Sequence, residues 1–366
     1  MVADGLRIAT YAAPLGRDGP GMLLRDLMRG DDPQIAAILA VIRRTDADVL
    51  LLTDFDYDLD GLALAAFAAL VDPPYPHHFA LRPNSGMPTG LDMDRNGRLG
   101  EARDAQGYGR FSGDSGMALL SRLPIDPGGV TDLSALLWRD LPGGVLPVLD
   151  GQPFLTDAML DVQRLSTTGH WVVPVLPPDA PPFAIMAFAA TPPAFDGPER
   201  RNVLRNRDEL RLWEHVLDGQ FGPLPDDFVI AGNANLDPFA GRGETAAMAA
   251  FLAHPLLQDP LPDLPTADWT ELGIGKLRVS YVLPSRGWEV VDADVDWPMS
   301  EGDSGSAGVH HLVWVDIRRA RGLQDGLQIG RAEIGQQPGE FAAADLMRHG
   351  VKIPHFAQFA GKRPER

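Results

Sequence analysis

The chain has 366 residues, of which 45% are hydrophobic, and a formal net charge of −18 at pH 7. This length and apolar content allow one large domain or two smaller ones. The negative charge argues against nonspecific binding to nucleic acid, because phosphates would be repelled and no run of Lys or Arg marks an exception. The expected partner is a protein or a small molecule, and the sequence does not identify it or the oligomeric state.

Nothing in the sequence indicates export, a membrane anchor or thiol chemistry. There is no cysteine, which excludes disulfides and thiolate catalysis. The first residues, MVADGLRIATYAAP, lack the basic segment and apolar stretch of a signal peptide. No apolar run approaches the roughly 18 residues that a membrane helix needs. We expect a soluble protein, cytoplasmic by default, or extracytoplasmic if the N-terminus has been trimmed.

The first half of the chain alternates predicted strands with predicted helices. Period-two alternation predicts a strand over 6–13, and helical spacing predicts a helix over 32–47 with Asp32 as its N-cap. Further along, the patterns predict a buried strand over 47–55, a helix over 59–71 and a strand over 115–125.

The second half repeats this alternation after a loop-rich stretch, 126–182, that holds one short predicted helix near 153–164. Strands are predicted over 183–191, 227–234, 277–285 and 310–317, and helices over 199–218 and 243–253. This order favours two sheets packed face to face with helices outside. We expect one domain over 1–319 and a C-terminal extension over 320–366.

A tight polar turn follows the strand predicted over 227–234, in the segment VIAGNANLDP. Such turns often deliver a metal ligand or a base to the open edge of a sheet. Here the side chains delivered are amides, Asn233 and Asn235, which do not ionise. Turn structure alone is the other explanation, because Asn tolerates left-handed backbone and hydrogen bonds its own main chain.

Together with the strand ends, three segments resemble the endonuclease/exonuclease/phosphatase family, which includes deoxyribonuclease-like nucleases and sphingomyelinases. The segments are DAQGYGRFSGDSGMALLSRLPI (104–125), TPPAFDGPERRNVLRNRDELRLW (191–213) and LRVSYVLPSRGW (277–288). The likeness covers roughly residues 5–318. It implies a four-layer α/β sandwich, in which two mixed β-sheets pack face to face with helices outside. It also implies an active site where the strand ends meet, with a divalent metal, usually Mg²⁺.

The resemblance implies eight site positions, of which two are unchanged, Asn235 and His310, while Asp54 stands where the family has Glu. At the other five, the family's Asn, His and three acids are replaced by Ala12, Ala189, Asn233, Ser280 and Val309. A hard dication needs charged oxygen ligands, so Mg²⁺ is not expected at this remnant site. The resemblance therefore predicts a catalytically degenerate member of the family, a non-catalytic binding or structural module.

The alternative function is a divergent metal-dependent hydrolase of phosphodiesters or phosphomonoesters. In that case Asp54, with Asp56 or Asp58 of the run DFDYDLD, would hold the metal and His310 would be the base. Both features also have ordinary explanations. Such an acidic run is commonly a solvated loop that ends in a helix cap, and His310 can be a hydrogen-bonded histidine at a strand start.

A second candidate metal site lies in LDMDRNGRLGEARD, residues 91–104. Asp92, Asp94 and Asn96, followed by a glycine, match positions 1, 3, 5 and 6 of a calcium-binding loop. Position 12 is Arg103 instead of Glu, and Asp104 could replace it if the loop bulges. The segment predicts a Ca²⁺ site or, alternatively, a surface turn rich in Asp and Asn.

Overall fold

The computed structural model describes residues 5–297 and 307–320. Fifteen strands and six α-helices lie in these ranges. The strands of the first part are β1 (Leu6–Leu15), β2 (Val49–Phe55), β3 (His77–Phe79), β4 (Gly116–Ser121), β5 (Thr131–Asp132), β6 (Val148–Leu149), β7 (Gln152–Pro153) and β8 (Gly169–Val175). Those of the second part are β9 (Phe183–Ala189), β10 (Phe228–Asn233), β11 (Ala267–Trp269), β12 (Gly275–Leu277), β13 (Ser280–Pro284), β14 (Trp288–Asp296) and β15 (Leu312–Arg319). The helices are α1 (Met22–Arg29), α2 (Pro33–Thr45), α3 (Leu62–Leu70), α4 (Asp157–Leu160), α5 (Arg201–Leu217) and α6 (Thr245–Leu252).

Two mixed sheets form the centre of the molecule. The first has six strands in the order β14-β15-β1-β2-β4-β3, and the second has five in the order β13-β10-β9-β8-β5. Each sheet contains one parallel pair, β1 with β2 and β9 with β10, and its other pairs are antiparallel. The remaining short strands pair as β6 with β7 and β11 with β12.

Three apolar clusters give the fold its four layers. One lies between the sheets and combines inner-facing residues of both, such as Leu51 and Ile185. A second packs α1, α2 and α3 on the outer face of the six-stranded sheet, and a third packs α5 and α6 on the outer face of the five-stranded sheet. The predicted α/β sandwich of two packed mixed sheets is therefore confirmed.

The predicted elements differ from the observed ones mainly in length. The helix predicted over 32–47 is α2, and its predicted cap is confirmed, since Asp32 Oδ1 accepts from two backbone N–H groups of the first turn. The helix predicted near 153–164 is only the single turn α4. Among the elements of seven residues or more, sequence patterns missed α1, β8 and β14. No helix within the described ranges is long and apolar enough to cross a membrane. The predicted extension, 320–366, lies outside the described residues apart from Ala320.

One face of α5 is polar although it is buried. Arg205 donates from Nε to the backbone carbonyl of Leu165 at 2.7 Å, and from Nη2 to the carbonyls of Arg164 and Ser166. The three acceptors belong to the loop that leads into β8. This loop could not be buried without such a donor, because unpaired backbone carbonyls are costly away from water.

Two more residues of the same face hold the loops that follow β9 and β10. Asn206 Nδ2 donates to the carbonyls of Thr191 and Ala234, each at 2.7 Å. The Glu209 carboxylate accepts from the backbone N–H groups of Thr167 and Thr191. Burial raises the pKa of Glu209 to about 7, and the charge of the nearby Arg205 opposes that rise. We call Arg205, Asn206 and Glu209 the α5 anchor.

Replacing the arginine of the α5 anchor should destabilise the protein. In Arg205→Met three buried carbonyls lose their donor, and the free energy of unfolding should fall by about 2–4 kcal/mol in urea denaturation. The matched control is Arg211→Met on the same helix, where a partly exposed side chain donates to the exposed Gly143 carbonyl. In this control variant the free energy of unfolding should fall by less than about 1 kcal/mol. Equal losses in the two variants would contradict the anchoring role.

Candidate functional site

A cavity of about 830 Å³ lies where the ends of the two parallel strand pairs meet. In the first sheet Ala12 pairs with Thr53, and in the second Ala189 pairs with Asn233. All four line the cavity. Side chains of a strand alternate between faces, so these residues share the inner face with residues four positions earlier, namely Ile8, Val49, Ile185 and Val229 of the inter-sheet core.

The cavity brings together six of the eight positions that sequence reasoning singled out. These are Ala12, Asp54, Ala189, Asn233, Asn235 and His310. Ser280 is fully buried and pairs with Asn233 in the antiparallel ladder, and its Oγ has no hydrogen-bond partner within the described residues. Val309 is 44% exposed and does not line the cavity.

Asp54 lies at a β-bulge near the end of β2, with left-handed backbone (φ 68°). The backbone of Gly16 packs closely against this bulge. A Cβ at Gly16 would stand 2.8 Å from Ser115 Oγ and 3.1 Å from Asp54 Oδ1. Burial raises the pKa of Asp54 to about 7; a hydrogen bond from Ser115 opposes the rise, and the charges of Asp56 and Asp114 add to it. A carboxyl group that titrates near neutrality thus borders the cavity.

Two of the other acids of the DFDYDLD run, Asp56 and Asp58, have structural hydrogen bonds. Asp56 accepts from the backbone N–H groups of Arg17 (2.8 Å) and Ser115 (3.1 Å), and burial raises its pKa to about 6. Asp58 accepts from the first two backbone N–H groups of α3, each at 2.8 Å. Asp58 is therefore a helix cap, as the ordinary explanation of the run predicts.

His310 lines the cavity just before β15. Its ring packs edge-on against Trp269 with centroids 5.1 Å apart, and its Nδ1 has no hydrogen-bond partner in the described part of the chain. Burial, together with a smaller effect of the charge of His311, lowers the pKa of His310 to about 4. The imidazole is therefore neutral at pH 7.

Both amides of the predicted turn take part in backbone hydrogen bonds. Asn233 Oδ1 accepts from the N–H of Asn235 at 3.1 Å, and Asn235 Nδ2 donates to the carbonyl of Ala190 at 2.9 Å. Gly232 is required by packing, because a Cβ there would lie 2.0 Å from the Phe188 carbonyl oxygen. These contacts give both asparagines a structural role in the turn.

The loop over 92–104 forms an acidic cluster that could bind a metal ion. Carboxylate oxygens of Asp92, Asp94 and Asp104 lie within 4.8 Å of one another, and no other such group occurs in residues 5–297 and 307–320. Asp104 reaches the cluster from a 3₁₀ turn, Ala102–Asp104, and accepts from the Met93 N–H. Asp104 stands one residue after position 12 of the calcium-loop pattern, and this turn brings it to the cluster.

Asn96, the other predicted ligand, forms hydrogen bonds within the loop. Its Oδ1 accepts from the backbone N–H of Arg98 at 2.8 Å, and its own backbone N–H donates to Asp92 Oδ1 at 3.0 Å. The loop borders the strand-end cavity, since Asp94 is one of the residues lining it. The candidate metal cluster and the cavity are therefore neighbours.

Sequence reasoning missed the cations of the cavity wall, which are Arg103, Arg110, Arg201 and Arg205. Arg201 donates from Nη1 to the Met93 carbonyl and from Nη2 to Gln163 Oε1, each at 2.8 Å. Desolvation lowers the pKa of Arg201, and it lowers that of Arg205 to about 10. A signal was present, because positions 201, 205 and 209 are spaced to share one face of the predicted helix.

The raised pKa of Asp54 makes folding stability depend on pH. The folded state holds the Asp54 proton more tightly than the unfolded chain does. The contribution of this proton to the free energy of unfolding is therefore complete below pH 3.8 and is lost as pH rises through about 7. Asp54→Asn removes that loss. Relative to the parent, the variant should gain about 2–3 kcal/mol more at pH 8 than at pH 5, at roughly 1.4 kcal/mol per pKa unit. Urea denaturation at both pH values in EDTA measures this, and equal gains would contradict it.

Comparisons with known proteins agree with the fold. The sequence matches the model of the Endonuclease/Exonuclease/phosphatase family over residues 27–302. The structure is similar to an endonuclease/exonuclease/phosphatase from Beutenbergia cavernae DSM 12333, with 20% identity, a TM-score of 0.55 and coverage of 87% of this chain and 72% of that chain. It is also similar to one from Bacteroides vulgatus, with 8% identity, a TM-score of 0.51 and coverage of 86% and 99%.

A comparison with curated proteins finds no match. The two solved structures, at this level of identity, bear on the fold alone. The family model covers more than half of the chain, and it includes β2, β9 and β10, three of the four strands of the parallel pairs whose ends border the cavity. The chain belongs to the endonuclease/exonuclease/phosphatase family.

Proposed function

We propose that the chain is a catalytically degenerate member of this family, whose strand-end cavity binds a ligand or partner without hydrolysing it. The observation that carries the proposal is the uncharged inner edge of the cavity. Ala12, Ala189 and Asn233 occupy the strand-end positions that face it, and none has a carboxylate or an imidazole. The scaffold around these positions is intact.

The groups at the strand ends do not fit Mg²⁺. This ion demands near-octahedral oxygen coordination, usually with one or two carboxylates. Asp54 is the one acid left among the family's positions that line the cavity. Asp56 already accepts two backbone hydrogen bonds, and Asp58 caps α3. Neither residue lines the cavity, so neither offers a carboxylate oxygen there beside Asp54.

His310 is poorly suited to act as a general base. The neighbouring residue, Val309, cannot orient or stabilise an imidazolium, and the ring contacts Trp269 instead of an acid. A base works best when its pKa lies near the operating pH, whereas burial lowers that of His310 to about 4. These features support binding over the alternative of a divergent phosphoesterase using Asp54 and His310.

A hydrolysis assay tests the proposed function. We expect no turnover of bis-p-nitrophenyl phosphate or p-nitrophenyl phosphate above background with Mg²⁺, Mn²⁺ or Ca²⁺, and no tight Mg²⁺ binding in calorimetry. The positive control combines Ala12→Asn, Asp54→Glu, Ala189→His, Asn233→Asp, Ser280→Asp and Val309→Asp, and it should recover Mg²⁺ binding. Turnover by the unmodified protein that disappears in His310→Ala would establish the alternative function.

We further propose that the ion of the 92–104 loop is Ca²⁺. Three carboxylates on an irregular loop suit the flexible coordination geometry of this ion better than the octahedron of Mg²⁺. By mass action, Ca²⁺ at 100 times its Kd should stabilise the protein by about 2.7 kcal/mol.

Thermal denaturation measures that gain. Asp94→Asn should abolish the rise in Tm with Ca²⁺, whereas Asp31→Asn, a surface control outside the loop, should keep it. Millimolar Ca²⁺ without effect on the Tm of the unmodified protein would refute a calcium site.

A further inference from the structure

Two guanidinium groups in the cavity wall have only neutral hydrogen-bond acceptors. Arg201 donates to the Met93 carbonyl and to the Gln163 amide oxygen. Arg205 donates to three backbone carbonyls, and neither arginine forms an ion pair with another residue of the described ranges. Arg201 Nε is buried and has no hydrogen-bond partner in the described part of the chain. A buried donor without an acceptor is costly, so an anion in the cavity that accepts from this guanidinium would be stabilised there.

Several acids that share the cavity are compensated by hydrogen bonds. Asp196 accepts through both carboxylate oxygens from backbone N–H groups of the first turn of α5, at 2.7 and 2.9 Å. Asp114 accepts from the backbone N–H of Arg110 and from the Ser115 hydroxyl. Arg103, in contrast, lines the cavity with an exposed side chain that has no hydrogen bond to a described residue. Arg103 and Arg201 therefore offer N–H groups that no described residue accepts.

Two exposed aromatic side chains also line the cavity. Phe195 is 74% exposed and Tyr108 is 65% exposed. Phe195 has φ 62°, a left-handed conformation that costs a bulky residue on the order of 1–3 kcal/mol. Burial of its ring does not offset this cost. Exposed rings of this kind suit stacking against a planar group of a ligand.

We propose that the strand-end cavity is a metal-independent binding site for a small organic anion that carries a flat ring. The anionic group lies against the Arg103 and Arg201 side of the wall, and the ring stacks on Phe195 and Tyr108. This inference rests on the proposed binding function and names the ligand class of the same cavity. It differs from metal-centred recognition because arginine side chains replace the cation.

The test uses two probes that cannot be hydrolysed as esters. Phenylphosphonate carries both the anion and the ring, and methylphosphonate carries the anion alone. Calorimetry in EDTA should show binding of both, with phenylphosphonate roughly tenfold tighter, the factor that stacking on an aromatic side chain supplies. Arg103→Gln should weaken both probes by a similar factor, since it removes charge from the anion's side of the cavity.

A pair of matched variants isolates the ring. Phe195→Ser should lower the affinity for phenylphosphonate toward that for methylphosphonate, with Tyr108 retaining part of the difference, and leave the affinity for methylphosphonate unchanged. Phe239→Ser is the control, because Phe239 is 79% exposed but does not line the cavity, and it should change neither affinity. Equal effects of the two substitutions would overturn the assignment of the ring site.

The remaining outcomes separate this inference from the proposed function. Absence of phosphonate binding in EDTA, or binding only after a divalent metal is added, overturns the inference. Turnover in the hydrolysis assay contradicts the proposed function, and metal-independent phosphonate binding would still support the arginine and aromatic site. Equal affinity for the two phosphonates overturns the inference as well, because the ring would then contribute nothing.

Discussion

Loops that leave the edge of a sheet carry backbone N–H and C=O groups, and these can be buried only if each finds a partner. The α5 anchor provides partners for the loop before β8 and for the loops after β9 and β10. The cavity lies among those loops, so its walls are held by a helix and not by a bound ion. The shape of a site built in this way does not depend on which side chains stand at the strand ends.

The same anchoring determines the charge of the cavity. Arg205 is buried because its guanidinium satisfies three carbonyls of one loop, and its positive charge accompanies those hydrogen bonds. Arg201, one turn earlier on α5, joins the loop of Asp94 to the wall through the Met93 carbonyl. These two structural cations thus border the cavity together with the neutral residues at the strand ends.

Much of the fold followed from local patterns, because alternation over 6–13 and short continuous apolar runs further along identified the strands whose ends border the cavity. The strand β8 was missed since its run, GHWVVPV, contains Pro174 and follows a stretch rich in loops. The eight-residue helix α1 is too short for a clear helical period. Six predicted positions line the cavity, but Ser280 and Val309 do not. Their placement could not be predicted, because the sequence does not reveal which side chains the strand register buries or exposes. The arginines were missed for a similar reason, since only packing turns a polar helix face inward.

The left-handed backbone at two cavity positions bears on how the chain has changed over evolution. Asp54 (φ 68°) and Asn235 (φ 52°) occupy a region that Asp, Asn and Gly tolerate far better than β-branched or bulky residues. Drift at these positions is therefore restricted to a few residue types, whatever the chemistry of the site. Ala12 and Ala189, whose backbone is extended, are under no such restriction. The residue type at positions 54 and 235 can thus reflect conformational constraint independently of activity.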